Sequence, residues 1–257
     1  MKEMFIGCES VPAGAVLCFS TRCGGVSEGM YESLNLDPRR GDNPAHVLEN
    51  CRRLGAAVGF EAEDMVMLNQ VHGDTIIKAT AADRGSGLFG PFAAEADALI
   101  TNGKHITLTV FTADCTPILL YDPVGRAIAA VHAGWRGTAL DIVGKTVARM
   151  EEEYGCKPEN IYAAIGPCIS ACCFETGVEV PEAMLAQLGE SARLAITAVG
   201  EKYHVDLKMI NKLLLERAGV KNIEVIPHCT VCEPELFWSH RRMGLARGSL
   251  AGVIMLK

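Results

Sequence analysis

The sequence lacks the features that mark several common protein classes. No apolar run approaches the roughly 18 residues of a bilayer-spanning helix. The opening Met1-Lys2-Glu3-Met4-Phe5-Ile6-Gly7 has no long apolar core of the kind a signal peptide carries. Lys and Arg (24) are outnumbered by Asp and Glu (31), and the net charge of -7 leaves no footprint for sequence-independent nucleic-acid binding. Neither a P-loop nor a dinucleotide-binding glycine fingerprint is present. Linkers, low-complexity tracts and internal repeats are missing too, so the 257 residues are expected to form a single domain.

What remains is an ordinary globular composition, 49% hydrophobic and 21% charged. Eleven cysteines, an odd number, fit free thiols in a reducing cytoplasm better than a disulfide framework. Asp42-Asn43-Pro44 reads as a helix start, Val47, Leu48, Cys51, Leu54 and Val58 follow at helical spacing, and Gly59 closes the run. Further helices are predicted at 138–153, 180–188 and 207–218. Strands are predicted at 15–20, 65–71, 75–79, 98–101, 106–112, 161–165, 223–226 and 252–256. The order is mixed rather than regularly βαβ, which favours an α/β sandwich with mixed or antiparallel sheets over a doubly wound parallel fold.

Chemistry concentrates between residues 112 and 137, TADCTPILLYDPVGRAIAAVHAGWRG. Asp122-Pro123-Val124-Gly125 is a turn signal between two short apolar runs, and a hairpin centred on Pro123-Val124 sets Cys115 opposite His132. Pro117 weighs against that hairpin, because proline in paired strands is confined to edges, ends and bulges. His72 lies where an apolar run opens into the polar turn His72-Gly73-Asp74, a place from which functional side chains project. Three readings stay open: a Cys–His nucleophile, a His2Cys metal set including His72, or packed side chains.

Other clusters carry less. Ala133-Gly134-Trp135-Arg136-Gly137 precedes a helix and could steady an anion through backbone N–H groups and Arg136, although the motif alone favours a tight strand-to-helix turn. Gly166-Pro167-Cys168 through Cys172-Cys173 superficially resembles the zinc deaminase signature but fails its spacing. Cys229-Thr230-Val231-Cys232 is a CxxC without a second pair, and packed free thiols are expected there. Ser239-His240-Arg241-Arg242, with Arg247, gathers positive charge that is either a solvated face or an anion site.

Taken in order, several motifs resemble the YfiH/YlmD family of laccase-domain, purine nucleoside phosphorylase-type polyphenol oxidase proteins. They are Ser20-Thr21-Arg22, Ser33-Leu34-Asn35-Leu36, Gly41-Asp42, Gln70-Val71-His72-Gly73, Thr112-Ala113-Asp114-Cys115, His132 through Gly137, Gly166-Pro167-Cys168-Ile169 and Ser239 through Arg242. The resemblance implies one α-β-β-α domain, a fold shared with bacterial deamidating toxins. It also implies a catalytic zinc on His72, Cys115 and His132. Phosphorolysis of adenosine, inosine and methylthioadenosine and deamination of adenosine are the implied activities.

Asp114 is then expected to support the site or carry a proton, and Arg22, Asn35, Gln70 and Arg136 to bind substrate. Purine nucleosides and phosphate are the expected partners of a cytoplasmic monomer, with no nucleic acid and no membrane. The family's older association with copper and phenol oxidation meets a chain of seven histidines with no His-x-His pair, so zinc is preferred. Trp238, His240, Met243 and Leu245 depart from the usual pattern and bear on substrate preference.

Overall fold

Every residue of the strands Thr116–Asp122 and Ala127–Ala133 is buried, as expected of a hairpin covered on both faces. In the computed structural model, which describes residues 3–257, that hairpin is the middle of a six-stranded sheet. Its spatial order is Asn222–Val225, Tyr162–Ile165, Thr116–Asp122, Ala127–Ala133, Ala98–Thr101 and Ile76–Lys78. The outer pairs are parallel and the inner ones antiparallel. A five-stranded sheet runs Phe5–Gly7, Ala15–Ser20, Leu250–Leu256, Thr107–Thr112 and Met65–Met67, with one parallel edge.

Side-chain alternation sends each strand's two faces to different partners. Leu119, Tyr121, Ile128, Ala130 and Ala164 of the larger sheet meet Leu17, Phe19, Leu108, Val110 and Ile254 of the smaller one in the central core. The opposite face of the larger sheet, with Ile118, Leu120, Ala129 and Val131, packs on helices Ile142–Tyr154, Glu179–Leu188 and Leu207–Arg217. The outer face of the smaller sheet packs on helix Pro44–Val58 through Val47, Cys51 and Leu54. The result is an α-β-β-α sandwich with mixed sheets, as the motifs implied. A small sheet of Glu175–Thr176, Lys202–Val205 and Ile196–Val199 lies beside these layers. No helix among the described residues is long and apolar enough to cross a membrane.

The hairpin register differs from the sequence expectation. Asp122 pairs with Ala127 and Pro117 with His132, so Cys115 is not opposite His132. The loop has four residues rather than two: Asp122 Oδ1 accepts the N–H groups of Val124 (2.8 Å) and Gly125 (2.9 Å), and Arg126 turns the chain at a φ of 50°. The slip is an even number of residues, so it leaves both side chains on their original face. Pro117 is tolerated in an interior strand because it sits near the strand start. Its carbonyl accepts from Gly166 N–H at 2.8 Å, and its missing N–H falls where the neighbouring strand has just ended.

Other bounds moved modestly. The helix expected at 138–153 is two pieces, Trp135–Ala139 and Ile142–Tyr154, separated at Asp141, which takes a left-handed φ of 57° and caps the second piece through Gly144 N–H. The strand expected at 65–71 is cut to Met65–Met67, because the chain beyond it turns toward Asp97.

Candidate metal centre and its cavity

His132 is the penultimate residue of the buried strand Ala127–Ala133, Cys115 lies just before Thr116–Asp122, and His72 is held in the left-handed region at a φ of 63°. What fixes His72 is Asp97. This carboxylate, fully buried, accepts the N–H groups of Val71 (3.3 Å), His72 (3.0 Å) and Gly73 (2.6 Å). Its Oδ1 also lies 2.7 Å from His132 Nδ1. Backbone and ring donors therefore converge on one anion, which orients both histidines at once.

The Nε2 of His132 is thereby freed to face Cys115, and Cys115 Sγ lies 3.8 Å from His72 Nε2. The two imidazoles meet edge to face with centroids 4.8 Å apart. All three donor atoms lie within 4.8 Å of one another. A tetrahedral zinc with ordinary Zn–N and Zn–S bonds separates such donors by about 3.5 Å, so modest contraction would complete the set. Gly134 leaves the room: a Cβ there would stand 3.0 Å from His72 Cδ2 and 3.2 Å from Cys115 Sγ. The donor set, the spacing and the carboxylate behind one histidine all fit a metal, while its identity is not fixed by geometry.

Without a metal, the electrostatics favour a thiolate beside a protonated imidazole. Burial pushes the Cys115 thiol up, but the imidazoles of His132 and His72 together outweigh it and bring it down to about 6. Burial pushes His132 down, and Cys115 with Asp97 reverse that and raise it to about 9. Asp97 is held below the usual carboxylate range: burial opposes this, and the bonds from His132, Gly73 and His72 win.

The three donors face a cavity of about 430 Å³. Phe111, Ile169, Phe174 and Leu207 give it apolar walls, and Arg39, Arg40, Arg136, Arg241 and Arg247 line its rim. Arg247 is 9% exposed, and burial followed by the nearby Arg40 charge brings its guanidinium down to about 10. The buried Nε of Arg247 has no hydrogen-bond partner, whereas that of Arg40 stands 3.3 Å from Asp37 Oδ2 in an ion pair. One orphaned cationic donor, Arg247 Nε, among the arginines that line the cavity forms a site for an anion.

The expected substrate-binding residues divide. Arg136 lines the cavity, stacked on Trp135 at 4.3 Å. Gln70 also lines it, with its amide paired to the backbone of Phe111 at 2.7 and 2.8 Å. Arg22 is not brought there. Its guanidinium is spent on the carbonyls of Glu32 and Pro234 and stacks over Trp238 at 3.8 Å. Asn35 is wholly buried, bonded to Asp42, Asp37 and Ser249 away from the cavity. Asp114 lines the cavity, but its carboxylate is occupied by Thr230 Oγ1 (2.6 Å), Ser239 Oγ (3.1 Å) and Arg241 N–H (2.6 Å). That geometry suits support of the site and leaves little freedom for carrying a proton. Asp97 and Arg40 escaped the sequence reading, which took Gly134 only as part of a turn able to steady an anion. No local signal marks Asp97, whose partners lie 24 to 35 residues away.

A family model described as multi-copper polyphenol oxidoreductase laccase matches residues 16–257. The chain is 39% identical to purine nucleoside phosphorylase YfiH of Escherichia coli (strain K12), over 95% of each chain. It is 42% identical to a purine nucleoside phosphorylase of Deinococcus radiodurans, covering 93% of this chain and 88% of that one. The crystal structure of YlmD from Geobacillus stearothermophilus matches with a TM-score of 0.94 at 36% identity, covering 100% of this chain and 97% of that one. The chain belongs to the YfiH/YlmD family. For a YfiH/YlmD-family protein the two labels pull apart, one naming copper oxidation and the other nucleoside phosphorolysis. The chemistry of the cavity has to arbitrate between them.

Proposed function

We propose that this chain is a zinc-dependent purine nucleoside phosphorylase that cleaves adenosine, inosine and methylthioadenosine to the free base and the (methylthio)ribose 1-phosphate. It also deaminates adenosine by hydrolysis. One observation carries the reading: a His2Cys donor set opens onto a nucleoside-sized cavity lined by five arginines, one of them, Arg247, with an orphaned Nε donor. His72, Cys115 and His132 would hold the metal, which when bound supplies Lewis acidity and lowers the pKa of water to roughly 7. A thiolate serving as ligand is not a free nucleophile.

The chain's own residues account for the rest. Arg247 binds phosphate through its unused Nε donor, and Arg40 and Arg136 add positive charge from the cavity lining. Phe111, Ile169, Phe174 and Leu207 seat the purine or the methylthio group and exclude water. In phosphorolysis the bond from the anomeric carbon to the base nitrogen breaks and one from that carbon to a phosphate oxygen forms. In deamination, water replaces ammonia at C6 of adenosine. Copper oxidation is not the preferred chemistry, because the seven histidines of the chain include no His-x-His pair.

Chromatography of products from adenosine tests the reading. Adenine and ribose 1-phosphate are expected with phosphate, inosine without it, and both should vanish on chelation and return with zinc. Full phosphorolysis by protein shown to hold no metal would sink the zinc dependence.

A second reading has its own support. Asp97, His132 and Cys115 form an oriented acid–imidazole–thiol series, the layout of a metal-free amidase or deamidase. His72→Ala separates the two, since only the zinc enzyme should lose metal and activity together.

A further inference from the structure

A second cluster of thiols lies outside the cavity. Strands Tyr162–Ile165 and Asn222–Val225 pair in parallel, and the segments that leave them stay side by side through a bridge between Cys168 and Cys229. That course brings Cys172-Cys173 against the turn Cys229-Thr230-Val231-Cys232. The sulfurs of Cys173 and Cys232 are 3.4 Å apart, Cys172 and Cys232 3.6 Å, Cys172 and Cys173 3.7 Å, and Cys172 and Cys229 3.8 Å. All four lie within 4.8 Å of one another.

We propose that Cys172, Cys173, Cys229 and Cys232 form a structural zinc site of tetrathiolate type. A tetrahedron of Zn–S bonds of about 2.3 Å sets sulfurs about 3.8 Å apart, close to the spacing already present. Burial does not explain the gathering, because Cys172 and Cys232 are exposed, whereas free thiols ordinarily cluster as small buried hydrophobes. The backbone is also arranged for a thiolate: Ser170 N–H donates to Cys229 Sγ at 3.4 Å. Binding releases the thiol protons to solvent and leaves a complex of charge -2. Three cations stand around it. Lys208 Nζ bonds Ser170 Oγ (2.9 Å) and the His228 carbonyl (2.6 Å), Arg241 bonds the Cys173 carbonyl (2.9 Å), and Arg242 bonds the Val231 carbonyl (3.0 Å). Four thiolates in a tetrahedron select zinc or iron over harder cations.

The site would clasp two loops that hold the wall beside Cys115. Ile169 N–H bonds the Asp114 carbonyl (3.0 Å), and Thr230 Oγ1 and Arg241 N–H bond the Asp114 carboxylate. The clasp thus positions the residue next to a cavity donor without touching substrate, and its readouts are independent of nucleoside chemistry.

Metal analysis of Cys115→Ser, which disables the cavity set alone, provides the test. The variant should retain about one zinc per chain, and its cobalt-exchanged form should show the charge-transfer and d–d absorption of four thiolates. The Cys172→Ser/Cys232→Ser double variant should instead lose that equivalent, expose Cys173 and Cys229 to alkylation, and melt at a lower temperature. A Cys115→Ser protein that is folded, free of metal and alkylated at all four thiols overturns the proposal. So does iron in place of zinc, or a disulfide within the cluster of freshly purified protein.

Discussion

Replacing Asp97 with asparagine should damage the fold and the metal centre together. Oδ1 receives His72 N–H and His132 Nδ1, and Oδ2 receives Val71 N–H and Gly73 N–H. An amide has one oxygen and one donor group, so one of those pairs must face an NH2. With the amide nitrogen on the Oδ2 side, two backbone donors are orphaned in a fully buried position. With it on the Oδ1 side, His132 can answer only by moving its proton to Nε2, which blocks the atom that faces Cys115. Either way about 1–3 kcal/mol of native stability is lost, and metal affinity should fall 10- to 100-fold.

For a chain of this size that loss lowers Tm by roughly 2–12 °C. Zinc competition against a chromophoric chelator and thermal unfolding in EDTA measure the two effects. The pH dependence has a definite sign. Because the folded Asp97 titrates below its unfolded value, its stabilisation is present above about pH 3.9 and is lost as pH falls through the folded value. The gap between wild type and Asp97→Asn in metal-free protein should therefore close in acid. A variant with zinc affinity within about threefold of wild type and an unchanged Tm would refute the assignment of Asp97 as the hub.

Gly134→Ala places a methyl 3.0–3.2 Å from two donor side chains on a backbone that accepts alanine, so zinc affinity should drop by about 1 kcal/mol or more, roughly fivefold, with little change in Tm; unchanged affinity would mean the donors can move aside freely. Arg247→Gln should raise the phosphate KM at least about tenfold while leaving the nucleoside KM near wild type, and steady-state kinetics with each substrate varied in turn reads this directly. Equal effects on both would remove the anion site from Arg247. In metal-free protein, iodoacetamide alkylation of Cys115 should rise with pH around about 6, the value set when the imidazoles overcome burial; a midpoint near the ordinary thiol value of about 8.5 would show that His132 is not charged beside it.

How much of this was legible in sequence depends on the range of the interaction. Helix Pro44–Val58 was readable because its signals are local: Asn43 caps through Ala45 N–H, proline follows, and Gly59 takes the left-handed turn at a φ of 103°. The layered fold was readable from motif order, while the small sheet around Lys202–Val205 was not, its strands being short and largely exposed. Arg22 and Asn35 were selected as site residues because polar groups in motif positions look functional. Both are polar anchors inside loops, a role indistinguishable from binding until their partners in Glu32, Pro234 and Ser249 are placed.

The hairpin shows why a wrong register could still lead to the right site. The pleat fixes only the parity of a strand, and the four-residue loop preserved it. Cys115 therefore lies diagonally across from His132 on the shared face, near Gly134, whose lack of a side chain leaves room for both Cys115 and His72. A loop one residue shorter or longer would have turned the histidine onto the face that Val131 and Ala133 share with the helices, away from Asp97 and Cys115. Loop length is thus a condition on the metal centre as binding as the identity of its donors. Deleting Val124 should abolish zinc binding at His72, Cys115 and His132 even with all three residues intact. Zinc retained by that deletion at wild-type affinity would show that the strands had re-registered at the loop and that parity does not govern the site.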